Sequence, residues 1–240
     1  MELIKAGIPG LDDILKGGIR KSSSLLLTGQ PGTGKSIFAL QFIIQGAKDG
    51  EPGIYISSEE NPESIREYAD SLDLSLDEYE KQGLITILKQ SITSKKILTL
   101  GSLTTIMKRK KIKRVVLDSI TLFQYGQQDR LINFRKEVLD FLELMKSSEV
   151  TLLCISEKAV TDLDNLIYDP QDFLFEGLII LMKIRKGSSF ERLIHIAKMR
   201  GQEHSIDIFP FTIGRGGITI HKDQIPFSLI DKDFRSSENG

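Results

Sequence analysis

The chain has 240 residues, 40% of them hydrophobic, and its 32 Lys and Arg nearly balance its 33 Asp and Glu. This length and composition predict a single domain with a hydrophobic core over residues 1–230, with two small domains as the alternative that length alone leaves open. A net charge of −1 argues against a generally basic, nucleic-acid-binding surface, although a local basic patch stays open. The single Cys154 excludes an intrachain disulfide. Without a secretory signal or a long apolar run, we expect a cytoplasmic protein with no membrane span.

Strand-like and helix-like segments alternate through the first two thirds of the chain. A short helix is predicted in "LDDILK", before the buried strand "SLLLTG". Alternation of this kind predicts an α/β fold whose mostly parallel sheet is flanked by helices. The further predicted strands cover residues 53–58, 84–88, 114–118 and 150–156, and the further predicted helices cover residues 35–48, a segment after 61–62, 95–109 and 130–147.

The pattern changes after residue 176. Two β-type runs between 177 and 200 are joined at "KGSS", which predicts an antiparallel hairpin. Two short strands follow, in "IDIFPFTI" and "GITIH". No linker separates them from the rest, so we expect antiparallel strands that extend the same sheet. Residues 231–240 are predicted to be a disordered tail.

A glycine-rich octapeptide, "GQPGTGKS", follows the first long strand and opens a helix. Its glycines allow backbone N–H groups to surround phosphate oxygens, next to the positive end of the following helix. Lys35 is predicted to reach the β- and γ-phosphates of a nucleotide. Ser36 is predicted to bind Mg²⁺ together with Asp118, which ends the strand "RVVLD". The backbone of the loop is assigned to Gly29, Gln30, Pro31, Gly32, Thr33 and Gly34.

Polar residues follow two further strands. Glu59 and Glu60 follow "GIYISS", and one of them is expected to orient the attacking water; we choose Glu59. The alternative is that the pair only places negative charge at a helix start. Ser156, at the end of "TLLCIS", is expected to contact the γ-phosphate, with a purely structural role equally open.

Three potential cations gather at the end of a later apolar run, "IAKMRGQEH": Lys198, Arg200 and His204. Nothing in the linear sequence shows what they contact, and a basic strand end that meets solvent is the simple alternative. A denser basic run, "MKRKKIKR" at 107–114, could bind nucleic acid. A solvated helix end is favoured there.

Together these motifs resemble the KaiC-like branch of the RecA/DnaB ATPase superfamily. The resemblance rests on "GIPGLDDILKGGI", the phosphate-binding loop, "SEE", "VVLDS", "KMRGQEH", "FPFTI" and "GITI", and it extends from about residue 5 to 221. It implies a RecA-like core that binds ATP with Mg²⁺ and forms a homo-oligomeric ring, with a hexamer as one candidate size. It also implies that Lys198 and Arg200 reach the γ-phosphate held by a neighbouring subunit, with His204 near that interface.

The chain also departs from the clock proteins of this family. It has one such domain instead of two, and "DPQDFLFE" lacks the Ser and Thr phosphoacceptors expected before "GLIILM". We therefore expect no equivalent autophosphorylation cycle. The predicted function is a slow Mg²⁺-dependent ATPase that acts as a switch on a protein partner, with Lys35, Glu59, Glu60, Lys198 and Arg200 as its catalytic groups. The alternatives are an ATP-binding scaffold of the archaeal motility-motor type and a recombinase-like DNA-processing ATPase.

Overall fold

The computed structural model describes residues 2–90, 99–124, 130–158 and 166–229. The predicted tail at 231–240 and the first residues of the helix predicted over 95–109 lie outside these ranges. In the part of the chain that is described, no helix is long and apolar enough to cross a membrane.

The secondary structure follows the predicted alternation closely. The strands are β1 (Leu3–Ile4), β2 (Ile19–Arg20), β3 (Ser24–Gly29), β4 (Gly53–Ser57), β5 (Ile85–Lys89), β6 (Arg114–Asp118), β7 (Thr151–Glu157), β8 (Gly177–Lys186), β9 (Ser189–Met199), β10 (Ile208–Gly214) and β11 (Gly217–Ile220). The α-helices are α1 (Leu11–Ile14), α2 (Lys35–Lys48), α3 (Pro62–Ser71), α4 (Leu76–Lys81), α5 (Leu100–Lys110) and α6 (Arg130–Ser147). Two 3₁₀ turns cover Ile120–Gln124 and Pro170–Phe173. The sequence did not predict β1, β2 and α4, which are too short to show a clear period.

Nine of these strands form one sheet in the order β11-β10-β9-β8-β3-β7-β6-β4-β5. Neighbours from β8 to β5 are parallel, whereas β9, β10 and β11 continue the sheet with antiparallel pairing. The predicted hairpin is confirmed, because β8 and β9 pair from Lys186 and Ser189 inwards. The mostly parallel α/β sheet with antiparallel strands at its C-terminal end is therefore confirmed.

Each face of the sheet is covered by its own helices. Leu25 and Leu27 of β3 pack in the cluster that contains α2, which we call the α2 face. Leu26 packs in the cluster that contains residues of α5 and α6, which we call the α6 face. Adjacent side chains of a strand point to opposite faces, so parity along each strand decides which side of the sheet a residue serves. Cys154 lies fully buried on the α6 face.

The C-terminal hairpin is attached directly to helix α2. The side-chain amide of Gln41 donates to the carbonyls of Gly216 and Ile218, both at 3.2 Å. Its Oε1 accepts from the Ile218 N–H at 2.7 Å. Through these three bonds, the Gln41 side chain satisfies backbone groups of the β10–β11 hairpin as a neighbouring strand would. The bonds join this hairpin to the helix that follows the phosphate-binding loop.

Candidate functional site

The loop between β3 and α2 is held in a compact shape by its glycines and by internal hydrogen bonds. Gly32 and Gly34 have φ values of 75° and 106°, in the left-handed region that favours glycine. A side chain at Gly34 would also approach Ile213 Cδ1 to 2.9 Å. Thr33 Oγ1 donates to the Gln30 carbonyl at 2.8 Å, which closes the turn. The spacing of small residues in "GQPGTGKS" thus serves a compact loop at the start of α2.

Lys35 lies under this loop with only 8% of its surface exposed. Its Nζ donates to the carbonyls of Gly29 and Gln30 at 2.9 and 3.0 Å. Burial lowers the pKa of Lys35, an effect that the nearby charges of Glu157, Asp118 and Glu59 partly offset. A buried ammonium held by neutral carbonyls is ready for an anion, because no carboxylate in the described chain forms an ion pair with it.

The two predicted metal ligands lie together. Ser36 Oγ donates to Asp118 Oδ2 at 3.1 Å, across the gap between α2 and the end of β6. The hydroxyl of Tyr55, a fully buried residue of β4, donates to the same oxygen at 2.6 Å. Burial raises the pKa of Asp118, although the hydrogen bonds from Tyr55 and Ser36 and the charge of Lys35 oppose this. Sequence patterns did not identify Tyr55, because it lies within a predicted apolar strand and nothing in that strand distinguishes it as a site residue.

Glu59 and Glu60 both line the cleft beside the loop, together with Lys35, Ser36 and Asp118. The cleft has a volume of about 380 Å³, within the usual size of small-molecule sites. The turn is fixed by Ser57, whose Oγ donates to the Glu60 carbonyl at 2.8 Å and accepts from the Glu60 N–H at 2.9 Å.

Burial raises the pKa of Glu60, and the charges of Asp118 and Glu59 raise it further. Both residues line the cleft, so its geometry leaves open which of them orients water. The choice of Glu59 therefore stays a prediction.

Ser156 is not among the residues that line this cleft. It is buried at the end of β7, and it shares its parity with Cys154 on the α6 face. Glu157 lines the cleft instead, with Ile155, which packs on the α2 face. The alternation of side chains along β7 decides this, and the sequence alone did not say which parity faces α2.

Lys198 and Arg200 lie at the opposite edge of the sheet from the loop. Lys198 pairs with Leu178, and Leu178 pairs with Leu26 of β3. The loop begins three residues further along β3 at Gly29, about 10 Å away along the strand. The N–H of Arg200 donates to the Glu176 carbonyl, still further from the loop. Neither cation is placed to reach phosphates in its own subunit's cleft.

A β-bulge near the end of β9 also turns these cations to the other face. Ile196 pairs with Ile179 and Lys198 with Leu178, so Ala197 is an extra residue in the ladder. Without the bulge, Lys198 would share the α2 face with Ile194 and Ile196. With it, Lys198 lies opposite Leu178 on the α6 face. His204 is in the loop after β9, where its Nδ1 lies 3.3 Å from the Gln202 carbonyl.

Comparison with known proteins places this arrangement in a family. The family model described as "ATPase: KaiC" matches residues 4–225. The chain belongs to the KaiC-like ATPase family. It spans about half the length of the clock relatives that it matches: a circadian clock oscillator protein KaiC from Parasynechococcus marenigrum is 32% identical over 92% of this chain but only 45% of its own length.

Single-domain relatives match from end to end. A UPF0273 protein from Aeropyrum pernix is 30% identical, with 94% of this chain and 96% of the relative covered. The crystal structure of a KaiC-like protein from Pyrococcus horikoshii OT3 has a TM-score of 0.80 and 33% identity, covering 92% of this chain and 99% of that one. The RecA-like fold and a phosphate-loop ATPase domain follow from these matches.

Two residues of the "KMRGQEH" segment serve this KaiC-like domain structurally. Gly201 has a φ of 69°, which permits the turn after β9. The side-chain amide of Gln202 donates to the carbonyls of Leu15 and Gly18 at 2.7 and 2.6 Å. These bonds tie the loop after Arg200 to the N-terminal segment of the chain.

The basic run at 107–114 divides between surface and core. Arg114 is fully buried, and its Nε donates to Glu51 Oε2 at 2.7 Å. Lys110 donates to Thr86 Oγ1 at 2.9 Å. Lys108, Arg109 and Lys111 remain exposed around the end of α5. The run is thus less cationic at the surface than its sequence indicates.

Proposed function

We propose that this domain binds ATP with Mg²⁺ and hydrolyses it slowly, as an oligomeric nucleotide-dependent switch acting on a protein partner. The observation that carries the proposal is the convergence of Lys35, Ser36, Asp118 and the Glu59–Glu60 pair on one cleft. ATPase family membership supports the nucleotide. The slow rate, the assembly into an oligomer and the protein partner are the parts of the proposal that experiments have to test.

The donor set at the cleft fits a magnesium ion. A serine hydroxyl and a carboxylate oxygen 3.1 Å apart are hard oxygen ligands of the kind that Mg²⁺ prefers alongside nucleotide phosphates. Such an ion neutralises charge on the β- and γ-phosphates when bound. Tyr55 holds Asp118 from beneath, so the carboxylate keeps its orientation toward Ser36.

The chain's own residues account for three tasks in phosphoryl transfer. Backbone N–H groups of the loop and the N-terminus of α2 bind phosphate oxygens, and Lys35 adds a buried positive charge. Glu59 or Glu60 orients the attacking water and accepts its proton. Burial raises the pKa of Glu60, which makes it a better proton acceptor than an ordinary carboxylate. What the cleft lacks among its described lining residues is a second cation.

We infer that a neighbouring subunit supplies that cation. Lys198 and Arg200 lie at the far edge and on the far face of the sheet, so they can meet phosphates only in another copy of the chain. A ring with head-to-tail contacts repeats this relation at every interface. Cations positioned there would stabilise the charge that develops on the transferring phosphoryl group.

Subunit mixing tests this proposal. The double variant Glu59→Gln, Glu60→Gln lacks the water-orienting carboxylates but keeps its cations; the double variant Lys198→Ala, Arg200→Ala has the reverse defect. We expect neither to release phosphate from ATP and Mg²⁺ alone. In a 1:1 mixture about a quarter of the interfaces join an intact cleft to intact cations, so activity should exceed the sum of the separate preparations.

Two results would count against the proposal. Wild-type protein that releases no phosphate above buffer would remove the ATPase, and a mixture that never exceeds the sum of its parts would remove the shared site. Lys35→Ala serves as the reference for lost nucleotide binding, with Lys48→Ala, at the other end of α2, as its matched control.

A further inference from the structure

Lys198 and Arg200, at the edge of the sheet opposite the phosphate-binding loop, are both held by a single turn. Lys198 Nζ donates to the Asp172 carbonyl at 2.9 Å, and Arg200 Nη2 donates to the Phe173 carbonyl at 3.1 Å. Both acceptors are neutral, and no described carboxylate forms an ion pair with either cation. Lys198 and Arg200 are therefore oriented without losing their charge, and each keeps N–H donors for an anion.

The turn itself, Asp169 to Phe173, is anchored by a buried carboxylate. Asp172 is only 3% exposed, and its Oδ2 accepts from Lys158 Nζ at 2.7 Å and from the Asp169 N–H at 2.8 Å. Lys158 also lies 3.0 Å from Asp169 Oδ2. Burial acts to lower the pKa of Lys158, but its bonds to Asp172 and Asp169 outweigh this and raise it. Lys158 therefore keeps its positive charge at neutral pH.

Lys158 connects this turn to the phosphate-binding loop. Its N–H donates to the carbonyl of Gly29, the first residue of the loop, at 3.2 Å. The preceding residue, Glu157, lines the cleft. One residue thus contacts the loop with its backbone and the cation-bearing turn with its side chain.

We propose that Lys158 and Asp172 are positioning residues: their ion pair fixes the turn whose carbonyls orient Lys198 and Arg200 for the neighbouring subunit's nucleotide. The inference rests on the proposed function, because it concerns how one subunit presents its cations to the next. Because the Lys158 N–H also donates to the Gly29 carbonyl, the turn that holds a subunit's cations is connected to the loop that binds the same subunit's nucleotide.

Three variants probe the pair. Lys158→Met keeps the length of the side chain without its charge, Asp172→Asn removes the charge of the partner, and Lys158→Arg keeps the charge. We expect the first two to lower kcat by about tenfold to a hundredfold, the usual cost of misplaced catalytic groups, while ATP affinity stays unchanged. Lys158→Arg should retain most of the activity. Lys222→Met, which breaks a 2.9 Å ion pair with Asp13 on the surface away from this turn, is the control for loss of a lysine charge.

Subunit mixing distinguishes a presenting role from a role in the residue's own cleft. Lys158→Met subunits mixed with the Glu59→Gln, Glu60→Gln variant should regain activity, because that variant supplies well-oriented cations to an intact cleft. Lys158→Met subunits mixed with the Lys198→Ala, Arg200→Ala variant should not, because neither partner presents oriented cations. Asp172→Asn should behave in the same way, which covers the case that Lys158→Met does not fold.

The reversed pattern overturns the inference, since it would place the defect of Lys158→Met in its own cleft. Wild-type kcat in both Lys158→Met and Asp172→Asn overturns it too. The mixture of the Glu59→Gln, Glu60→Gln variant with the Lys198→Ala, Arg200→Ala variant tests the proposed shared site separately from this inference. If that mixture regains activity while the Lys158 pattern is reversed, the shared site stands and only this inference fails. If it does not, both fail.

Discussion

The two edges of the sheet use charge in opposite ways. At the amino edge, where β3 and β6 begin, two arginines form ion pairs: Arg20 lies 2.7 Å from Glu176, and Arg114 Nε lies 2.7 Å from Glu51. At the carboxyl edge, burial raises the pKa of Asp118 and Glu60 and lowers that of Lys35. The two ion pairs at the amino edge stabilise the fold. At the carboxyl edge, burial instead disfavours the charged forms of Asp118, Glu60 and Lys35. A ligand with complementary charge would relieve that cost, which is typical of functional sites.

The largest expected effect is at the carboxyl edge, on catalysis. Replacing Glu59 or Glu60 by Gln should lower kcat by about 10²–10⁴-fold for whichever carboxylate orients the water. The amide keeps the shape but accepts no proton. Phosphate release under saturating ATP and Mg²⁺ measures this, with Glu67→Gln on α3 as the control. Full activity in both single variants and in the double variant would show that the acidic pair has no catalytic role.

The pH dependence sharpens the choice between the two. If Glu60 is the base, the acid limb of kcat should lie above the ordinary pKa of glutamate, because burial and the charges of Asp118 and Glu59 raise the pKa of Glu60. A base acts only when deprotonated. Glu59→Gln removes one of those charges, so it should move the acid limb to lower pH. An active Glu59→Gln variant whose limb does not move would show that Glu60 is not the base, and loss of activity in this variant would assign the base to Glu59.

At the amino edge, breaking a pair should destabilise the fold. Arg114→Met leaves Glu51 without its buried partner and the carbonyls of Lys5 and Phe42 without their donor. We expect a loss of about 3–5 kcal/mol in the free energy of unfolding, measured by urea denaturation. Arg66→Met, at a more exposed pair with Glu80, should cost about 0–1 kcal/mol. Equal losses would show that burial does not distinguish the two pairs.

The opposite sign is expected for Asp118→Asn without nucleotide. Removing a half-buried carboxylate whose pKa is raised should increase Tm by roughly 2–4 °C, about 1 kcal/mol in a chain of this size. A raised pKa means that the folded state binds the proton more tightly, so wild-type stability falls as pH rises from the unfolded pKa of Asp to the folded one. The variant should lack this fall.

The same substitution should weaken Mg²⁺-dependent ATP binding, since it removes a charged oxygen beside Ser36. Thermal unfolding and ATP titration, each with and without Mg²⁺, measure both effects on one preparation. A variant that is less stable at neutral pH, or that binds ATP with unchanged Mg²⁺ dependence, would contradict this assignment of Asp118.

The smallest effects test which parity of β7 serves the cleft. Glu157→Gln reduces the negative charge near Lys35 and should strengthen ATP binding by about 0.2–1 kcal/mol, at most about fivefold. Ser156→Ala, on the α6 face, should leave ATP affinity unchanged. If an ATP titration showed that Ser156→Ala changes ATP affinity and Glu157→Gln does not, Ser156 would be assigned to the site.

Much of the fold could be predicted because its signals are local. The loop needs glycines in one order, and helix α2 begins at Lys35 and ends at Lys48 as its periodicity predicts. The β8–β9 hairpin was predicted from two apolar runs and a polar turn, and the structure confirms it. The sequence did not identify Glu157, which lines the cleft where the neighbouring Ser156 does not. A strand's pattern shows that its faces differ but does not show which face meets which helix.

By itself the sequence determined the element order, the phosphate-binding loop and the residue types of the site, because each follows from spacing along the chain. Only the tertiary structure decided where Lys198 and Arg200 point. One extra residue in β9, Ala197, reverses their face, and a buried Asp172 holds the turn that orients them. Tyr55 beneath Asp118 is likewise a contact between separate strands. Pairing register and burial depend on residues far apart in the chain, so local patterns do not contain them.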